Sequence, residues 1–176
     1  MKPTRRNLFA AALLLLPSAV PPAHKAKPAP PPAPVSSGKL EIRLLLTLEP
    51  DKVFHPKKEA DGKFSEAQPV RVAPRGQLVG GVVFFKDCKA DAAGNCNVDV
   101  DLQGFLPNGS LFENRKASDL WRNKKAPHAG FVQLGGAYVK IQIESKDPAG
   151  TYRVLAVAHD RVAGTEARSE GSFEVK

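Results

Sequence analysis

The chain of 176 residues lacks most of the motifs that assign an activity directly. It has 4 histidines, which lie far apart without H-x-H or H-E-x-x-H spacing. No serine lies in a G-x-S-x-G motif, and no glycine-rich phosphate loop precedes a helical pattern. These absences argue against a zinc hydrolase, a serine hydrolase and a nucleotide-binding enzyme. We therefore predict a protein that is not an enzyme and that holds no metal or cofactor.

Acidic residues are missing from the first 36 positions, which hold 5 basic residues. The remaining chain has 21 basic and 18 acidic residues, so its formal charge is +3 rather than the +8 of the whole sequence. A nearly balanced domain is a poor partner for a phosphate backbone. We therefore expect no nucleic-acid partner.

A long hydrophobic run is also missing. The apolar stretch at residues 8–16 ends at Pro17, whereas a membrane-spanning helix needs about 20 residues. Because this stretch follows Arg5-Arg6, it predicts a signal peptide of the Sec or twin-arginine type over residues 1–23. The Pro/Ala/Lys-rich residues 24–38 predict a disordered tether. We expect a periplasmic or secreted protein, membrane-tethered if the signal stays uncleaved.

Residues 39–176 alternate apolar and polar side chains with the period of two that is typical of half-buried strands. The pattern predicts an all-β domain, a single antiparallel Greek-key β-sandwich of about seven strands, and the resemblance of residues 147–152 to immunoglobulin-like domains implies that the sandwich is immunoglobulin-like. The longer connections at residues 50–76 and 114–130 are predicted as loops, the first with room for a small hairpin or helical turn. The strands are expected near residues 40–48, 78–86, 97–103, 110–113, 139–144, 152–159 and 168–175.

The sequence Asp147-Pro-Ala-Gly150-Thr-Tyr152 resembles the start of strand F in immunoglobulin-like domains. In that resemblance Tyr152 forms a tyrosine corner, whose hydroxyl bonds back to upstream backbone, and Asp147 and Gly150 shape the turn before it. Val154 stands where such domains often carry cysteine, so their inter-sheet disulfide is absent. The alternative is an ordinary turn followed by a strand that bears a tyrosine.

The 2 cysteines, Cys88 and Cys96, predict a disulfide in an oxidising compartment. Their spacing does not match the C-x-x-C of thiol oxidoreductases. Nearby, Asp99 and Asp101 lie two apart on a predicted strand and should share its outer face. A solvated face is the favoured interpretation of these carboxylates, and a weak calcium site is the alternative.

Two surface features are candidates for binding. The outer faces of the predicted strands carry apolar Leu45, Leu155 and Val157, which can mark an interface or lie under long loops. The other feature is a basic segment with an aromatic residue, which could meet anionic lipid, acidic glycan or acidic protein. Its alternative is a Trp121 that covers a sheet edge beside solvated lysines. The predicted binding patch consists of Arg115, Lys116, Trp121, Arg122, Lys124 and Lys125.

Four short stretches together resemble a group of short exported, immunoglobulin-like proteins of Gram-negative bacteria. They are residues 83–88 (VFFKDC), 94–96 (GNC), 106–109 (LPNG) and 147–152 (DPAGTY). The resemblance implies a fold and a compartment and supplies no catalytic residue. We expect a periplasmic domain that binds an envelope protein, as a monomer or weak dimer. The alternative is a module that binds glycan or anionic lipid through the Trp121 segment.

Overall fold

The computed structural model describes residues 39–176. The predicted signal peptide and tether lie outside the described residues. No helix within residues 39–176 combines the length and the apolar character needed to cross a membrane.

The described chain forms strands almost throughout, with one short helix. In chain order the elements are β1 (Glu41–Thr47), α1 (Pro50–Phe54), β2 (Val72–Ala73), β3 (Leu78–Lys86), β4 (Asn95–Phe105), β5 (Leu111–Lys125), β6 (Gln133–Gln142), β7 (Gly150–Asp160) and β8 (Thr165–Val175).

The strands form two sheets of unequal width. One has three strands in the order β1-β3-β6, and the other has five in the order β2-β8-β7-β4-β5. All neighbours are antiparallel except β2, which runs parallel to β8. The two sheets are joined at one side by a hydrogen bond from the Leu44 N–H of β1 to Ser169 Oγ of β8, 2.9 Å long.

The core lies between the inner faces of the two sheets. On β4 the inward residues Val98, Val100 and Leu102 are fully buried, and on β3 Val79 and Val83 are buried as deeply. On β4 these residues are the apolar half of an alternating pattern, so the burial of one face follows from the period of two, whereas β3 is apolar on both faces. The prediction of an all-β domain is confirmed.

The strand count and one connection differ from the prediction. The structure has eight strands within residues 39–176, and the additional one is β2, which is too short to show a period. The expected loop at residues 114–130 was wrong, because β5 continues to Lys125. Its pairing with β4 shifts register at four points, and Ala117 and Asn123 have positive φ angles of 49° and 52°. Such bulges interrupt the alternation that reveals a strand.

Candidate functional site

The turn before β7 is tied to Tyr152, whose side chain is 2% exposed. Its hydroxyl donates to the carbonyl oxygen of Pro148 at 3.0 Å, the hydrogen bond expected of a tyrosine corner. Asp147 Oδ2 accepts from the Glu144 N–H at 2.7 Å and shapes the same turn. Burial, and then the negative charge of Asp147, raise the pKa of Tyr152. The hydroxyl therefore stays a donor at physiological pH and serves the fold.

Gly150 shows why this turn needs a residue without a side chain. Its φ is +126°, and a Cβ there would lie 2.9 Å from the Cβ of Pro107. A left-handed conformation together with such a close approach favours glycine.

The predicted disulfide between Cys88 and Cys96 is present, and both residues are fully buried. It closes the connection between β3 and β4, which lie in different sheets. The buried carboxylate of Asp160 is bound to this connection, since its Oδ2 accepts from the Lys89 N–H at 2.7 Å. The disulfide and the hydrogen bond to Asp160 together fix the connection through which the chain passes from one sheet to the other.

Charged side chains form a network on the outer face of the five-stranded sheet. Asp99 and Asp101 share this face, as expected, but they are mostly buried, with side chains 7% and 17% exposed. Arg161 binds Asp99 through two hydrogen bonds of 2.7 and 3.0 Å. His159 lies between Asp101 and Glu166, with N···O distances of 3.5 and 3.1 Å. The expectation of a solvated face was wrong for Asp99 and Asp101, because long cationic side chains cover them.

Within this network the pKa of Asp101 is lowered. Burial alone would raise the pKa of Asp101, but hydrogen bonds from Lys116 Nζ and the Ala117 N–H, both 2.8 Å, bring it below its ordinary value. The charges of Lys116 and His159 act in the same direction. Within residues 39–176 no group of three or more His, Cys, Asp or Glu side chains is arranged to hold a metal ion. Because every acid here has a cationic partner, the network stabilises the sheet.

The predicted basic patch lies on β5, the last strand of the five-stranded sheet, and its residues make contacts within the domain. Trp121 donates from Nε1 to the carbonyl oxygen of Lys125 at 2.9 Å, and its ring centroid is 5.3 Å from that of Phe85. Lys124 Nζ lies 5.2 Å from the Trp121 ring centroid. The tryptophan therefore packs at the end of the core, where it offers less free ring surface than a loop residue would.

The remaining cations of the patch also have partners. Lys116 binds Asp101 at 2.8 Å, and Lys125 Nζ donates to the Ala93 carbonyl at 2.7 Å. Arg122 donates to the Ala117 carbonyl at 2.8 Å. These contacts are mostly exposed, so an external anion would compete with them. Binding by this patch remains a prediction.

An apolar groove lies on the outer face of the three-stranded sheet. Leu45 of β1 and Phe84 of β3 form its floor. Phe84 pairs with Arg43 of β1 across the sheet, and Arg43 and Leu45 lie on the same face because they are two residues apart on the strand. One wall is Val53 of α1, and Val132 lies at the other side. The cavity measures about 430 Å³, which is within the usual size of ligand sites.

The segment between β1 and β3 builds the wall of this groove. Pro50 begins α1 against Gly80, where a Cβ would lie 2.7 Å from the Pro50 Cβ. A hydrogen bond of 2.8 Å from the Val70 N–H to the Leu46 carbonyl returns the segment to the sheet. The predicted helical turn within this long connection is therefore present and covers part of the outer face.

The rim of the groove carries charges of both signs. Lys52 binds Glu49 at 2.7 Å, and the hydrogen bond from Lys52 lowers the pKa of Glu49. Arg43 and Glu66 lie at the rim as well. These polar groups are few and lie outside the apolar floor. Such an arrangement favours docking of a partner over catalysis of a reaction.

Val132, which lines this groove, and Phe131, the residue before it, are the most exposed large apolar side chains of the described residues. Phe131 and Val132 are 67% and 66% exposed, in the connection that leads into β6. A smaller hollow of about 200 Å³ continues past Val132 and Phe84 to the ion pair between Lys86 and Glu41. Together they form an apolar surface with a charged margin, the pattern that marks interaction sites. We call the lining residues Leu45, Val53, Phe84 and Val132, together with the exposed Phe131 that precedes Val132 in the chain, the outer groove.

No protein-family model matches this chain, and no curated protein is similar to it in sequence. Among solved structures, the chain aligns with a family 123 glycoside hydrolase from Clostridium perfringens at 15% identity and a TM-score of 0.43, over 78% of this chain and 27% of the other. It aligns with an alkylpurine DNA glycosylase from Pseudomonas fluorescens at 14% identity and a TM-score of 0.41, over 79% of this chain and 31% of the other. A Niemann-Pick type C2 protein from Japanese carpenter ant aligns at 11% identity and a TM-score of 0.41, over 82% and 95%.

The chain thus spans less than a third of the length of the first two proteins, with 27% and 31% covered. With TM-scores between 0.41 and 0.43, these similarities carry no statement about function.

The sequence contains one signal for the outer groove that our sequence reasoning did not use. Phe131 and Val132 follow Gly130 outside any alternating pattern, so no predicted strand face accounts for these two adjacent apolar residues. Leu45 was assigned to an outer face on the correct grounds. The sequence did not indicate that Arg43, Val53 and Phe84 lie in one site. They line the same groove because α1 lies over the outer face of the three-stranded sheet.

Proposed function

We propose that this chain is an extracytoplasmic, non-enzymatic interaction domain that binds a partner protein through the outer groove. The observation that carries the proposal is an apolar groove of about 430 Å³ lined by Val132, which is 66% exposed and follows the equally exposed Phe131 in the chain. Covering these side chains removes apolar area from water, which favours association.

We also propose that the fold is immunoglobulin-like. The strand orders β1-β3-β6 and β2-β8-β7-β4-β5 and the tyrosine corner at Tyr152 support this assignment. The buried disulfide supports an oxidising compartment, in line with the predicted signal peptide.

The test is crosslinking in envelope extracts with matched pairs of variants. Phe131→Ser should remove the crosslinked partner band, whereas Phe64→Ser should keep it, because Phe64 is 62% exposed and lies outside the outer groove. Val132→Asp should likewise remove the band, and Val162→Asp, on the turn between β7 and β8, should keep it. A band that responds equally to both members of each pair would contradict the proposal.

A further inference from the structure

The three-stranded sheet ends at β6, so one edge of β6 has no neighbouring strand within the described residues. Within the described residues β6 pairs with β3 alone. At the beginning of β6 this edge is covered by β5. A Cβ added at Gly136 of β6 would lie 3.1 Å from the Asp119 carbonyl oxygen of β5. From Tyr138 to Gln142 no strand of the described chain lies along the edge.

The direction of the backbone groups on this stretch follows from two observations. Ile143 exchanges hydrogen bonds with the chain leading into β3, from its N–H to the Gln77 carbonyl at 3.0 Å and from the Gly76 N–H to its carbonyl at 2.7 Å. The Tyr138 carbonyl accepts instead from the Arg115 side chain of β5, at 3.3 Å. Backbone polar groups alternate between the two edges of a strand. Tyr138, Lys140 and Gln142 therefore direct their N–H and C=O groups to the free edge.

The opposite sheet extends beyond this edge. The Phe112 ring of β5 lies against Gly104 and has its centroid 6.0 Å from that of Tyr152, so it belongs to the inner face of the five-stranded sheet. It is nevertheless 38% exposed, because the three-stranded sheet ends at β6 and does not cover β5. A further strand beside β6 would gain backbone hydrogen bonds and cover Phe112.

Charge indicates the kind of strand that fits. The Arg115 side chain is 46% exposed beside this edge, and the Lys140 side chain, on the outer face of β6, is also exposed. Pairing of two copies along their β6 edges would bring the two Lys140 side chains onto one face, where like charges repel. An acidic strand would instead be attracted to Lys140, whereas Arg115 already forms an ion pair with Glu113.

We propose that the free edge of β6, from Tyr138 to Gln142, receives a strand of another protein in which apolar and acidic residues alternate. The backbone hydrogen bonds provide the attachment. The apolar side chains face Phe112, and the acidic ones face Lys140. This surface is separate from the outer groove.

The test is amide hydrogen exchange at residue resolution, with a synthetic peptide in which valine alternates with glutamate. We expect the peptide to protect the amides of Tyr138, Lys140 and Gln142, while the amides of Val139 and Ile141, already bonded to β3, change little. A peptide with lysine in place of glutamate should give no protection. The proposal would be overturned if the protected amides did not alternate along β6, or if the lysine peptide protected them as well as the glutamate peptide does. It would also be overturned if concentrated protein without peptide showed the same protection.

Two variants test whether the peptide binds at this edge. Lys140→Glu should weaken binding of the glutamate peptide about tenfold, the scale of one lost charge-assisted contact. Lys146→Glu is the matched control, because that side chain is 81% exposed on the turn between β6 and β7. Phe131→Ser should leave the peptide affinity unchanged, so failure here and failure of the outer groove are distinguishable.

Discussion

At the residue scale, Tyr152 shows how much one hydroxyl can organise. It lies 2% exposed at the start of β7, its ring is stacked on Phe173 with centroids 5.4 Å apart, and its hydroxyl reaches the Pro148 carbonyl. The resemblance of the motif around Asp147 and Gly150 to the start of strand F implied this hydrogen bond, and the motif spans only a few residues. Local geometry of this kind needs little knowledge of the rest of the fold.

Tyr152→Phe should lower the free energy of unfolding by about 1 kcal/mol, since it removes the hydrogen bond to the Pro148 carbonyl while the ring packing remains. Urea denaturation measures this loss. Tyr138→Phe is the control, because Tyr138 is 39% exposed and should cost little. Equal losses in the two variants would argue against the role of the hydroxyl.

Asp101 provides a second prediction at this scale, in acid. Its lowered pKa means that its contribution to stability is present above the unfolded-state value of about 3.9 and is lost as pH falls through the lower folded-state value. Lys116→Met should raise the folded-state pKa of Asp101, because it removes a hydrogen bond and a positive charge but leaves the burial. Titration of the Asp101 carboxyl by NMR checks this; an unchanged midpoint would show that Lys116 does not hold it.

At the scale of elements, β5 is the strand whose length the sequence concealed, because only residues 110–113 were predicted as a strand and β5 extends to Lys125. Its residues are mostly polar, and register shifts against β4 break the alternation on which the prediction relied. The same bulges bring Leu120 across to β6, where it is fully buried against Gly135. Pairing partners and bulges are decided by contacts distant in sequence, so the pattern within one segment cannot reveal them.

Gly135→Ala tests that contact. A Cβ there would lie 2.2 Å from Leu120 Cδ1 and 2.9 Å from the Val83 carbonyl oxygen, so backbone must shift. We expect a loss of about 1–3 kcal/mol in thermal or urea denaturation, typical of overpacking. Gly136→Ala is the neighbouring control and should cost less, since its nearest atom, the Asp119 carbonyl oxygen, would be 3.1 Å away and the position is exposed. The reverse order would contradict the proposed approach of β5 to β6.

At the scale of the whole molecule, the disulfide joins the two sheets where the chain crosses between them. Both cysteines are buried, and the bridge spans a sequence separation of 8. A short closed loop restricts the unfolded chain, which stabilises the fold in the chain-entropy model. The domain should therefore be most stable in an oxidising compartment.

Replacing both Cys88 and Cys96 by alanine should lower the free energy of unfolding by about 2.5 kcal/mol, and reductant should lower that of the unchanged chain by a similar amount. Urea denaturation with and without reductant measures both effects. The double variant itself should not respond to reductant. An unchanged chain that is equally stable with and without reductant would contradict this expectation.

The sequence by itself determined the all-β class, most strand positions, the cysteine pair and the hydrogen bond of Tyr152. Each depends on local spacing or on a period of two, which side-chain burial imposes along a single strand. Only the tertiary structure decided the rest: β5 as an edge strand, the partners of Asp99 and Asp101, the outer groove and the free edge of β6. These features join residues such as Leu45, Phe84 and Val132, which meet only when separate strands and α1 pack together.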